Sequence, residues 1–376
     1  MTIGGHYDYE MHRVALAPLL PGAGKAALQL ATEQALALGE AKFGHFLQAQ
    51  GLAPFWAARL HEHGLTDQFS QQLYADLHQA RLQATGQYLA QSHALKALRR
   101  VLDNSNIPHL VFKGAHTRER YFPEPALRPA VDIDVLVPRE ARTDAIHAFI
   151  TEGFDLHALP ENISHECSLT RGHTSIDLHW DILRPGRTRI PMAGRFLASR
   201  RDYGDYWGPS DEVTLFLLLV HSVFTKYLTT PQASLVRQLD IACLLHTKGP
   251  DWREVTRWLA ESGLKTAGWL SLKWFRQCTA IETTLNAEEA LRPGKIRRGY
   301  LENWLDSNRT SRWLDTPMRV QLGFTLAAHD SLRDALRATQ VARECRWRGE
   351  EEVGEIEAQL RQRERKISLT GSTQPR

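Results

Sequence analysis

Leu110–Val137, LVFKGAHTRERYFPEPALRPAVDIDVLV, is the stretch from which the fold can be read. Its start, His109 to Phe112, predicts a short buried strand, and its end, Asp132 to Val137, predicts a second. Side chains alternate along a strand, so Asp132 and Asp134 share one face while Ile133, Val135 and Val137 take the other. Two carboxylates side by side repel unless a cation lies between them, and clustered oxygen ligands suit Mg²⁺. Between the strands, Lys113-Gly114 stands just before a predicted helix from Ala115. There a glycine lets a phosphate approach the backbone, and a helix N-terminus offers free N–H groups.

Working downstream, Pro138 to Glu152 predicts a helix with Ile146, Phe149 and Ile150 as its apolar stripe and Gly153 as its cap. Ser164 to Thr170 and Thr174 to Ile182 predict a hairpin turning at Arg171-Gly172-His173. In its second strand Ile176, Leu178, Trp180 and Ile182 share the core face, and Asp177, His179 and Asp181 the opposite one. If this hairpin lies beside the DID strand, Asp177 completes a three-carboxylate site, with Asp181 as the rival ligand. Such a site suits two metal ions about 3.5–4 Å apart, clamping an in-line displacement at phosphorus. His179 is expected to be a hydrogen-bonded strand histidine rather than a ligand.

The flanks change period. Ala26 to Leu102 is rich in Ala, Leu and Gln, and Leu73, Leu77, Ala80, Ala84, Tyr88, Leu95, Leu98 and Leu102 mark one face of a long amphipathic helix. Asn104, Ser105, Asn106 and Pro108 stop it. Pro209 to Gln340 is helical again, with starts at Ser210 and at Thr230-Pro231. From Ala342 the chain is strongly charged and is expected to be a solvated helix fraying into a disordered tail, so that a chain ending near Gln340 still folds and works. The expected division is therefore 1–106 helical, 107–183 the α/β core, 184–341 helical and 342–376 the tail.

Composition narrows the function class. The 376 residues are 43% apolar and 24% charged, with a formal net charge of +3, which excludes a disordered chain and a nucleic-acid binder driven by bulk charge. The longest nearly unbroken apolar run, Val213 to Val220, is far short of the roughly 18–20 residues that span a bilayer, so no membrane association is expected. The opening MTIGGHYDYE has no signal-peptide pattern, and Cys167, Cys243, Cys278 and Cys345 are dispersed; both point to the cytoplasm.

The order strand, (K)G turn, helix, D-h-D-h and then h-D-h resembles the DNA polymerase beta-like nucleotidyltransferase superfamily. More closely, LVFKG, YFPEPALRPAVDID, IDLHWDI and the later HSVF…RQLDIACLL resemble a bacterial family of uncharacterised nucleotidyltransferases, over roughly Ala26 to Tyr300. The resemblance implies an α+β fold in which a minimal palm, a short mixed sheet, is embedded between helical N- and C-terminal regions. It implies Asp132 and Asp134 as paired metal ligands, Asp177 as the third acid and Gly114 as the phosphate-loop glycine. Here the turn is Lys113-Gly114-Ala115, eighteen positions before Asp132, where the superfamily carries Gly-Ser or Gly-Gly about ten residues ahead.

The expected reaction is Mg²⁺-dependent transfer of a nucleoside monophosphate from an NTP, ATP among them, to an acceptor hydroxyl, with pyrophosphate leaving. Two Mg²⁺ ions would be held by Asp132, Asp134 and Asp177, and Lys113, Gly114 and Arg128 would steady the triphosphate. Arg128 reads equally well as a partner in a structural salt bridge. Arg237 and Asp240, three apart on a helix face, read as a polar tie between helices, with Asp240 as acceptor base the alternative. A peptide or small-molecule hydroxyl is the expected acceptor; tRNA stays open because Arg184 to Arg201 is arginine-rich. Kinase-like transfer of the γ-phosphoryl group, or a non-catalytic helical interaction protein with a relict palm, are the competing readings. His329-Asp330 resembles an HD pair without its partners and is set aside.

Overall fold

The computed structural model describes residues 9–371 apart from 229–233, 248 and 314. The expected helix start at Thr230-Pro231 and the polar end Ser372–Arg376 lie outside the described residues. The protein is a mixed α+β structure, 64% helical, with one mixed sheet of five strands. Its two compact units are each assembled from separate stretches of chain.

One unit comprises Ala90–Phe112, Asp132–Pro209 and the chain from Leu336 onward. It holds β1 (Leu110–Phe112), β2 (Ile133–Leu136), β3 (Asp155–His157), β4 (Glu166–Arg171) and β5 (Thr174–His179) in the order β1-β2-β5-β4-β3. The pair β2 and β5 is parallel and the other pairs are antiparallel. Val111, Ile133, Val135, Cys167, Leu169, Ile176 and Leu178 are all buried, which is the predicted apolar face. The helix Arg142–Thr151 buries Ala145, Ile146 and Phe149, and Gly153 takes the left-handed φ of 83° that its cap position asks for. β3, whose residues alternate between exposed and half-buried, lacks the apolar signal that marks the other strands. β5 stops at His179, three residues short of the predicted end, because Asp181 turns its side chain back to accept from the Ile182 N–H at 2.8 Å.

The charged C-terminal segment is helical through Gly371, in one helix beginning at Leu332. The expected charged helix is present, but through residue 363 one face of it is packed rather than solvated. Glu352 accepts from Arg139 at 2.6 Å and from Arg142 at 2.7 Å, and Thr143 donates to Gln359 at 2.8 Å. Ile356 and Leu360 are buried, and a Cβ at Gly349 would collide with the Pro160 backbone. Gly349, Glu352, Ile356, Gln359 and Arg363 recur at three and four, so the packed face is real but mostly polar. Trp347 is 76% exposed and anchors nothing.

The other unit comprises the chain to Leu89, Lys113–Val131 and Ser210–Ala335, and among the described residues it is helical. Its central helix, Asp211–Phe224, is buried on every side apart from Glu212, and Ser210 caps it by accepting from Val213 N–H. Tyr121 donates to Asp211 at 2.8 Å, and His116 contacts Thr214 Oγ1 at 3.1 Å. Trp269, Trp274 and Trp304 are fully buried packing residues. Asp330 caps the helix Lys265–Thr279, accepting from Lys265 and Thr266 N–H at 3.1 and 2.8 Å, which accounts for the His-Asp pair without metal chemistry. The long helix Gln71–Asn104 carries the predicted stripe and stops where Asn106 enters a left-handed φ of 53°.

Candidate metal-binding site

The register of the sheet builds the site. Asp134 of β2 lies directly opposite Asp177 of β5, with Phe112 of β1 on one side and Ser168 of β4, then His157 of β3, on the other. The next row on the same face runs Leu110, Leu136, His179, Glu166. Asp134, Asp177 and His179 bring one ligand atom each to within 4.8 Å of one another. Asp134 and His179 are buried, and Asp177 is the half-exposed member.

His179 is the pivot. Its Nε2 lies 2.9 Å from Asp134 Oδ1, and its Nδ1 lies 3.1 Å from Glu166 Oε2, off the line of a ring N–H. Phe112 meets the imidazole edge-to-face at 5.1 Å between ring centres. Ser168 donates to Asp177 Oδ1 at 2.7 Å, which fixes that carboxylate's rotamer. Cys167 belongs to the opposite face; burial, helped by Asp177 and Glu166, pushes its thiol up, so it stays protonated and is no ligand. Two carboxylates and an imidazole converging in a mostly buried cluster are a donor set that fits a divalent cation.

The other expected residues fall as follows. Asp132 sits one residue before β2, half-buried and outside the trio. Asp181, expected as the rival ligand, is also outside it; burial raises its pKa. Lys113 follows Phe112 in the chain, opens the helix Lys113–Tyr121 and adopts a left-handed φ of 53°. A Cβ on Gly114 would collide with the Arg128 guanidinium, so this glycine is explained by a side chain of its own unit. Arg128 donates from Nε and Nη2 to the two oxygens of Asp240, at 3.1 and 2.6 Å, and from Nη1 to the Pro129 carbonyl at 2.6 Å. Asp240 has no exposure at all, and both its oxygens are engaged by Arg128 from the turn after Pro125–Leu127, so the ion pair ties a helix to a loop of the same unit.

Glu166 and Ser168 are the residues that the sequence did not single out, whereas His179 has the hydrogen bond expected of it, to Asp134. The signal for both lay in the turn. Gly172-His173 connects the hairpin and pairs Arg171 with Thr174, and counting outward three and five places from that pair sets Ser168 and Glu166 opposite Asp177 and His179. A family model for uncharacterised nucleotidyltransferases matches residues 39–280. No curated protein matches the chain.

Proposed function

Because the chain belongs to the family of uncharacterised nucleotidyltransferases and is a transferase enzyme, we propose that it moves a nucleoside monophosphate from an NTP to an acceptor hydroxyl. The observation that carries this reading is the pairing of Asp134 with Asp177 on one row of the sheet, with His179 beside them. A bound divalent cation, Mg²⁺ in the first instance, would be held by Asp134 and Asp177, with Asp132 one alternation earlier reaching the same face. Bound there, it would neutralise phosphate charge and favour an ionised acceptor oxygen.

The residues themselves orient and exclude water. Ser168 and His179 hold the two carboxylates in fixed rotamers, so little reorganisation accompanies the reaction. Lys113, next in sequence to the register partner of Asp134, is proposed to meet triphosphate oxygens. Arg128 is proposed to hold the Gly114 turn through its ion pair with Asp240, and Asp240 to act by positioning. In the reaction the acceptor oxygen bonds to the α-phosphorus, the bond to the bridging oxygen breaks, and pyrophosphate leaves while the hydroxyl proton passes to solvent or base.

The acceptor is proposed to be a peptide or small-molecule hydroxyl, with tRNA as a second acceptor class to be assayed. The deciding experiment supplies each NTP labelled at the α- or the γ-phosphate, with a cell extract as acceptor source. Transfer of α-label with release of pyrophosphate supports the reading. Transfer of γ-label with nucleoside diphosphate as product would replace it with a kinase. Neither label moving, together with no change in melting temperature on adding metal and NTP, would favour a non-catalytic interaction protein.

A further inference from the structure

We propose that the outer face of the helix Lys295–Asp306, with the π-helical turn Gln321–Thr325 and the short segments between them, is a docking surface for a partner-protein segment that mixes acidic and large apolar side chains. The surface lies wholly in the helical unit and does not depend on the metal-site reading. It is assembled around the buried Trp304, which meets Trp313 edge-to-face at 5.3 Å and Phe324 at 5.7 Å between ring centres. Gly323 permits this, because a Cβ there would collide with the indole, and Tyr300 donates its hydroxyl to the Gly323 carbonyl at 2.9 Å. The helix buries Leu301, Trp304 and Leu305 and leaves Ile296 and Tyr300, four apart, on its outer side. Tyr300 thereby reaches the turn that carries Leu322, while Arg319, next to Met318, lies over the Trp313 ring at 5.9 Å. Ile296 is 92% exposed, Met318 66% and Leu322 56%, and Tyr300 and Trp313 each keep more than a third of their surface. Large apolar side chains held open together mark an interaction site, and widened π-helical turns are frequent at such places.

Charge decides what kind of partner fits. Arg292–Arg319 holds seven basic residues and three acids, a net of +4, where the whole chain carries +3. Two of those acids are engaged by the helix Lys265–Thr279: Glu302 accepts from Lys273 at 2.8 Å and Asp306 from Gln277 at 3.1 Å. Among the described residues, Lys295, Arg298, Arg309, Arg312 and Arg319 form no ion pair. Four of these five cations are arginines, whose planar fork takes a carboxylate through two bonds. Arg, Met, Tyr and Trp are also the residues that protein interfaces favour. A single-stranded nucleic acid would stack on the rings but leave Ile296, Met318 and Leu322 without a role. A lipid surface asks for one broad apolar helix face, whereas these side chains come from separate short segments with arginines among them.

The test selects a random peptide library displayed on phage against the full-length protein. The recovered sequences are expected to combine Asp or Glu with Leu, Ile or Phe. A synthetic peptide of that consensus should lose affinity as salt rises from about 0.05 to 0.5 M. Arg312→Glu with Arg319→Glu should weaken the peptide at least about tenfold, and Ile296→Ser with Met318→Ser should do the same. Leu82→Ser, at an exposed apolar residue of the helix Gln71–Asn104, should leave binding unchanged. Melting curves establish that each variant is folded; the two paired variants act on different side chains, so either one suffices. No enrichment, a consensus without acidic residues, or peptide binding that both paired variants leave intact overturns the proposal. Tighter binding of phosphatidylserine vesicles or of oligouridylate, lost in the same variants, also overturns it and makes the surface a membrane or nucleic-acid contact. Sedimentation showing self-association that those variants abolish overturns it in favour of a second copy of the chain.

Discussion

Arg128 and Asp240 meet through two parallel N–H···O bonds at a point where the carboxylate has no solvent contact, although 112 residues separate them in the chain. Breaking such a pair from one side leaves an uncompensated charge in a buried place. Asp240→Asn and Arg128→Ala are each expected to lower stability by about 3–5 kcal/mol, whereas the double variant Arg128→Met with Asp240→Leu loses much less. Denaturant unfolding measures this. Asp240→Asn that keeps full stability and loses only transfer would restore the acceptor-base role to Asp240.

Gly114 belongs to the same arrangement. Gly114→Ala places a methyl against the Arg128 guanidinium and is expected to destabilise by roughly 1–3 kcal/mol. Adding Arg128→Met should relieve most of that penalty, a coupling that a double-mutant cycle reads directly. Additive effects would show that the glycine is required for another reason.

Asp134 and Asp132 are expected to separate in assays. Asp134→Asn should cost transfer at least about a hundredfold and abolish Mn²⁺ binding, with stability unchanged or raised because a like-charge neighbour of Asp177 is gone. Asp132→Asn, outside the converging trio, should lower transfer while Mn²⁺ binding persists. Equal loss of binding in both variants would mean that Asp132 swings into the site when metal is present.

The C-terminal helix supplies a fourth expectation. Ending the chain at Gln340 removes Ile356 and Leu360 from buried positions, worth roughly 1.5–3 kcal/mol each, together with the partners of Arg139 and Arg142. The truncated protein should melt well below the full chain. Coincident melts would return the segment to the status of a dispensable tail.

Acid should weaken the fold through His116. Complete burial, with Arg120 adding to it, pushes its pKa down to about 3 from the usual 6.5. The neutral ring is the form the fold holds, so its contribution is full above pH 6.5 and falls away as the pH drops toward 3. The expected slope is about 1.4 kcal/mol per pH unit across that window. Compared with His116→Gln, the wild-type protein should lose stability faster below pH 6.5; parallel pH–stability curves would count against it.

Much of this was legible in the sequence because period-two alternation reports a strand's two faces directly. Ile133 and Val135 against Asp134, and Ile176 and Leu178 against Asp177, suffice to predict the acidic row, and the hairpin follows from Gly172. The partnership of Arg128 with Asp240 was not legible, since a pair 112 residues apart leaves no local pattern. The partners of His179 stayed hidden for another reason. A histidine on an alternating strand reads the same whether it faces a serine or a carboxylate, and only the register with Glu166 distinguishes them. The C-terminal helix was misread because its packed face is built from Gly349, Glu352 and Gln359, which no apolar count detects.

That helix also gives the sheet's unit a timetable. Arg139 and Glu352 are 213 residues apart in the chain. At roughly 5–20 residues per second, a ribosome needs about 10 to 40 s to supply the second after the first. For most of that interval, from His179 onward, the strands bearing Asp134, Asp177 and His179 are already made while Arg139 and Arg142 have no Glu352 to meet. A nascent chain released by premature termination in that window exposes two arginines and the unfilled seats of Ile356 and Leu360, a surface by which chaperones and proteases can tell an unfinished molecule from a finished one.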